Sequence, residues 1–229
     1  SSSKSTDKAD GGHSSNGSGT DNANGTGGVG GTDGADGDNQ DTVTDNPLKI
    51  VESGWSADQQ GYVHYAFALR NTSKTQQVQY PQITITGRAK DGSIVFSQTQ
   101  ALNMAFPNQT VYDAGQAGEG TAPATVDFVV LSPDTYNVTE AQGTATFPIS
   151  GTSKIDNRDG GTTFNGEVRA VADGFKPSDG QQIKISLVLR NAQNAIIYGD
   201  IAFVDWPGNG RSTPFSITVY DLPKYCLLY

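Results

Sequence analysis

The chain has 229 residues, 34% of them hydrophobic, with 28 glycines and a formal charge of −9 at neutral pH, which fits one large or two small domains plus an unstructured portion. No apolar run approaches the roughly 18 residues of a membrane-spanning helix, and 15 Lys and Arg scattered through an acidic chain do not form the basic face that displaces counterions from nucleic acid. Cys226 is the only cysteine, which excludes a disulfide framework and any zinc site built on paired cysteines.

The acidity is concentrated at the start. Residues 1–45 hold eight Asp against two Lys, together with eleven Gly and seven Ser, and the apolar side chains are Val29, Val43 and three Ala. Such a stretch buries too little surface to offset its ordering entropy, so residues 1–46 are expected to be a disordered leader. A flexible coil of this length reaches roughly 35–40 Å. Asp33, Asp36, Asp38 and Asp41 lack the Gly and terminal Glu of a calcium loop and read as solvated charge, and His13 stands alone among Ser and Gly. The chain opens on Ser1 and its single Met is Met104, so the start of the reading frame is expected to have been removed.

From Pro47 onward, short apolar alternations are punctuated by Gly, Pro, Asn and Asp, and no window has helical periodicity. The body reads as all-β. In the segment from Gly61 to Arg70, Val63, Tyr65, Phe67 and Leu69 share one face, expected to be buried, while His64, Ala66, Ala68 and Arg70 share the other, expected to be wet. A similar strand follows 120 residues later, where Ile183, Ile185, Leu187 and Leu189 alternate with Lys184, Ser186, Val188 and Arg190. At that offset Ile50–Asn71 matches Ala170–Asn191 without a gap, pairing Trp55 with Phe175 and Leu69-Arg70-Asn71 with Leu189-Arg190-Asn191, an internal repeat. Trp55 and Phe175 are therefore expected to fill the same corner of two cores. Asp91-Gly92 and Asn209-Gly210 suit tight hairpins.

Short strands at this spacing predict two tandem immunoglobulin-like β-sandwich domains. The first is expected over 47–150 and the second over 163–229. A linker is expected over 151–162, where Ser150-Gly151-Thr152-Ser153 and Asn157-Arg158-Asp159-Gly160-Gly161 are hinge-like. Asp156 and Asp159 read as parts of that hinge and not as metal ligands. Few residues follow Asn191, so the second sandwich is expected to be one strand short, its exposed edge a template for another strand, and the chain a truncated form of something longer.

Catalytic chemistry finds little support. No Gly-x-Ser-x-Gly elbow exists, His64 is the body's single histidine, and Glu52, Glu119, Glu140 and Glu167 share no motif, so neither a serine triad nor a carboxylate pair is expected. No catalytic residue, metal or cofactor is assigned, and Cys226 is expected to be a small apolar residue on a late strand. Trp206, in Asp205-Trp206-Pro207-Gly208, is a candidate for stacking on a sugar or anchoring a protein; the plainer expectation is a turn aromatic folded back on its own sheet. Tyr112 is the second candidate. Asn71, Asn108 and Asn137 open Asn-x-Ser/Thr sequons, as do Asn16 and Asn24, which a Thr- and Asn-rich chain produces by accident.

A long strand ending in Leu-Arg-Asn, followed by a strand closing on Asp-Gly or Asn-Gly, resembles the FxLYD-type and related immunoglobulin-like modules of Gram-positive cell-surface lipoproteins. Phe203-Val204-Asp205 and Val219-Tyr220-Asp221 approximate the namesake pattern, where the first repeat has Ile85-Thr86-Gly87. The resemblance covers most of residues 48–229 and implies an extracellular, surface-held protein whose leader lifts the domains from a lipid anchor ahead of Ser1. The expected function is non-enzymatic: a spacer or adhesion module for a protein or cell-wall glycan. Carbohydrate binding through Trp206 and Tyr112, or completion by strand exchange with a partner, are the alternatives.

Overall fold

The computed structural model describes residues 45–223 and the short strand at 227–228. The leader, His13, the Asp33–Asp41 cluster and Cys226 lie outside the described residues. The fold is all-β, with antiparallel sheets throughout and one 3-10 turn at Thr135–Asn137.

In chain order the first strands are β1 (Leu48–Ala57), β2 (Val63–Asn71), β3 (Gln76–Gln79), β4 (Gln82–Arg88), β5 (Ile94–Ala101) and β6 (Met104–Ala105). They are followed by β7 (Thr110–Ala117), β8 (Thr125–Val130), β9 (Val138–Glu140) and β10 (Thr144–Thr146). The later strands are β11 (Ile149–Asp156), β12 (Thr162–Arg169), β13 (Val171–Asp173), β14 (Gln182–Arg190), β15 (Ile196–Asp205), β16 (Ser212–Val219) and β17 (Leu227–Leu228).

In the first half a sheet of order β1-β2-β7 faces one of order β5-β4-β8, and a separate short sheet, β6-β3-β9, adds Val78 and Ala105 to the same core. The apolar alternation of β2 sends Val63, Tyr65, Phe67 and Leu69 inward, where they meet Ile83 and Ile85 of β4, Phe96 of β5 and Val126, Phe128 and Val130 of β8. In the second half β11-β12-β16 faces β15-β14-β17. Phe164 and Val168 of β12 and Ile217 of β16 close there on Ile183, Ile185, Leu187 and Leu189 of β14. Burial of alternating faces between two layers is the main stabilising term in each half.

The two halves thus repeat one strand order, but not at the offset expected from the sequence. β2 lies between β1 and β7, whereas β14 lies between β15 and β17. By sheet position the counterpart of β2 is β12, and that of β14 is β4. The turns agree: Gly61 and Gly160 both sit at φ +87 after strands of the same rank, a conformation that favours glycine. Arg88 and Arg190 each donate to the carbonyl four residues on, Gly92 and Asn194, across equivalent hairpins. The shared Leu-Arg-Asn performs two different tasks. Asn71 is fully buried and donates to the Gln76 and Ala105 carbonyls, while Asn191 accepts from the Gln193 and Ala195 amides at a hairpin.

Residues 151–162, expected as a linker, are instead most of β11 and the turn leading into β12, with β11 paired to β12 from Ile149 to Asp156. Asp159 accepts the Gly161 amide and the Tyr220 hydroxyl, which fixes that turn.

The outer face of β2 is not wet. The β1-β2-β7 sheet stacks on the outer face of β14 and β15, burying Ala66, Ala114 and Ile196 with Val188 and Ile201 beside them. Small residues make the approach close: a Cβ at Gly54 would strike the Ile196 carbonyl, and one at Gly199 the Tyr65 carbonyl and the Ala114 methyl. His64 is largely covered too, its Nε2 2.9 Å from Asp58 Oδ2 and its ring stacked 4.7 Å from Tyr198.

Candidate functional site

Two charged links cross the seam between the halves. Lys184 on β14 reaches Asp113 on β7, Nζ to Oδ1 2.6 Å, with Asp113 only 2% exposed. Asp113 also accepts from Gln100 Nε2 at 2.5 Å and the Ala114 amide at 2.8 Å. Gln100 in turn accepts the hydroxyl of buried Tyr65. A relay therefore runs from the first core to the second half, and burial, with Asp113's charge as a second cause, pushes the Tyr65 phenol above its usual range.

The second link pairs Arg190 at the end of β14 with Glu52 on β1 through both guanidinium ends, the bidentate geometry that strengthens such pairs. The Arg190 hydrogen bond holds the Glu52 carboxyl below its ordinary value despite partial burial. Tyr112 joins this link, its hydroxyl donating to Glu52 at 3.3 Å, and its carbonyl accepts the Ser186 hydroxyl.

Beside these links lies a cleft of about 270 Å³ between the halves, lined by both residues singled out in the sequence, Trp206 and Tyr112. It is walled by an aromatic row. Phe106 of the first half meets Phe175 edge-on at 5.4 Å, Phe175 leans on Trp206 at 6.2 Å, and Trp206 meets Phe147 edge-on at 5.6 Å. Phe175 therefore bridges the halves and does not match Trp55, which packs on the first core. Trp206 is half-buried with two ring neighbours, as a turn aromatic folded back on its own half would be. Tyr112, 43% exposed, forms the rim.

A second cavity of about 610 Å³ adjoins the first, sharing Val111, Tyr112, Phe147 and Ile183 to Ser186 of β14 in part, and opening onto Phe164, Phe215 and Ile217. It opens into the second core along one edge of β14. On that edge the paired residues are Leu189 and Arg190, opposite Leu228 and Leu227; from Gln182 to Val188 no described strand is hydrogen-bonded there.

Phe147, Lys184 and Asp113 were not singled out by sequence as site residues, and Phe175 was expected in a core corner. Each comes to the cleft by long-range packing, and the one local signal was Lys184 and Ser186 interrupting a strand otherwise built for a core. Among the described residues no group of three or more His, Cys, Asp or Glu converges as a metal site. The charges at the cleft are neutralised by one another, leaving aromatic walls.

Comparison with known proteins finds no family model that matches the chain, and no significant match to a curated protein or a solved structure.

Proposed function

We propose that the chain is a non-enzymatic binding module of a cell surface, built from two tandem immunoglobulin-like sandwiches of the FxLYD-type kind, and that its contacting part is the cleft between the halves. The observation that carries this reading is the continuous apolar recess running from Trp206 and Phe147 to Phe164 and Phe215, held open by a seam of small residues and two charged links. Rigid aromatic anchors beside a groove bind at low entropic cost.

A protein partner fits better than a wall glycan. A sugar platform presents a free aromatic face, whereas the Trp206 ring is engaged by Phe147 and Phe175. The test is binding of fluorescently labelled chain to intact Gram-positive cells, before and after protease and before and after lysozyme treatment. The proposal expects a signal removed by protease and lost with Phe175→Ser. A signal removed by lysozyme alone favours the glycan reading, and absence of any saturable signal overturns the binding module.

A further inference from the structure

We infer that Lys49, Arg70 and Lys74, gathered at one end of the first half, form an anion-binding site for phosphate-ester groups. The inference is independent of what the cleft holds.

The placement of charge is the first observation. In the pairing of β1 with β2, Lys49 stands directly opposite Arg70. Like charges in that relation destabilise a sheet, and among the described residues neither of them, nor Lys74, forms an ion pair. The repeated Leu-Arg-Asn sharpens the contrast. Arg190 is answered by the Glu52 carboxylate, whereas Arg70 donates to two neutral oxygens, Thr110 Oγ1 at 3.2 Å and Asn108 Oδ1 at 2.6 Å. These bonds hold the guanidinium in place and leave its charge uncompensated.

The second observation is that the segments bearing these groups are laced together. The Thr72 amide and hydroxyl both donate to the Pro47 carbonyl just ahead of β1, at 2.9 and 2.8 Å. The Asn108 amide donates to the Ser73 carbonyl at 2.8 Å. Buried Asn71 accepts the Ser73 amide and donates to the Gln76 and Ala105 carbonyls, which fixes the loop carrying Lys74. Lys49 and Lys74 are exposed and Arg70 is half-buried, so the charges are reachable on a fixed frame. Of the carboxylates at this end, Asp45 is exposed and Glu140 accepts the Thr75 hydroxyl at 3.3 Å.

The third is the donor set. Thr110 and Asn108 accept from Arg70 and keep donors of their own, the Thr110 hydroxyl hydrogen and the Asn108 Nδ2 group. N–H and O–H donors thus come from β1, β2, β7 and two turns. A carboxylate offers two coplanar oxygens, whereas a phosphate offers oxygens in several directions and suits a guanidinium fork beside ammonium groups. Three cations match one phosphate or two neighbouring ones, and are too few for the face of a nucleic acid.

The experiment titrates the isotopically labelled full chain at low salt with a short linear polyphosphate, beside polyglutamate of matched charge and vesicles of an anionic phospholipid. The expected result is saturable polyphosphate binding, with shift changes at Lys49, Arg70, Lys74, Asn108 and Thr110 and none at Lys90 or Arg169, and polyglutamate weaker by at least about tenfold. Arg70→Gln is expected to weaken binding at least about tenfold. Lys49→Gln combined with Lys74→Gln changes exposed side chains only and is expected to weaken it about fivefold or more; Lys90→Gln is expected to leave it unchanged. If Arg70→Gln loses its unfolding transition, the Lys49 and Lys74 variant decides. Vesicle binding that Arg70→Gln abolishes supports the site and assigns the phosphate to a lipid headgroup; polyphosphate binding without vesicle binding supports it and assigns a phosphate polymer. No saturable binding, equal affinity for polyglutamate, or shift changes spread to Lys90 and Arg169 would each overturn the inference.

Discussion

Lys184→Met keeps most of the side-chain stem and removes the ammonium that faces Asp113 at 2.6 Å. The remaining carboxylate is 2% exposed and retains donors from Gln100 and the Ala114 amide, so it is not wholly abandoned. Removing one partner of a buried pair costs about 3–5 kcal/mol when the other is left bare; two surviving donors reduce this to about 2–3 kcal/mol. For a body of this size that corresponds to a fall of roughly 5–10 °C in Tm. The assay is urea and thermal unfolding of the wild type, Lys184→Met, Asp113→Asn and the double variant. Because the amide introduced by Asp113→Asn would accept and donate within the same relay, the double variant should recover part of the loss, giving a coupling of about 1 kcal/mol or more. A single variant within about 0.5 kcal/mol of wild type and a coupling near zero would refute the idea that this pair ties the halves together.

Gly199→Ala should destabilise by about 2–3 kcal/mol, since its methyl would meet the Tyr65 backbone and not a movable side chain; chemical denaturation checks this, and a neutral result would mean that the seam is looser than the packing implies. Trp206→Ala should cost about 2–3 kcal/mol through lost contacts with Phe147 and Phe175, whereas an exposed platform would cost under about 0.5 kcal/mol. Acid should weaken the fold. The Arg190 bond depresses the Glu52 carboxyl; at Asp58 burial pulls upward, but bonds from His64 and the Tyr62 and Gln60 amides prevail and depress it. Both contributions are complete above the ordinary carboxylate values of 4.5 and 3.8 and are lost as pH falls through the lower folded-state values. Glu52→Gln should therefore flatten the decline in stability measured by unfolding between about pH 5 and about pH 2, and an unchanged slope would remove Glu52 from the account.

The strands were legible because period-two alternation in β2, β4 and β14 identifies an inward face without reference to neighbours. It does not identify a strand's place in its sheet, and for that reason β2 and β14 look equivalent at an offset of 120 although they occupy different positions. The better signal was the Gln-Ile-Thr-Ile-Thr and Gln-Ile-Lys-Ile-Ser pair, together with turns ending on Gly61 and Gly160. Ala66 and Ala68 read as a wet face because small residues are compatible with water. Only packing against β15 makes Ala66 part of a seam, and that contact joins residues more than a hundred positions apart. Trp206 and Tyr112 meet at one cleft; of the residues that complete its wall, Phe147 carries no local mark, and Phe175 was marked only as a core residue.

Binding of the labelled chain to intact Gram-positive cells, compared with a Phe175→Ser variant that keeps its thermal unfolding transition, tests the central claim most directly. The cleft lined by Phe147, Phe175 and Trp206 predicts a saturable, protease-sensitive signal that the variant loses. A signal that Phe175→Ser leaves unchanged, or no saturable signal at all, would contradict the account.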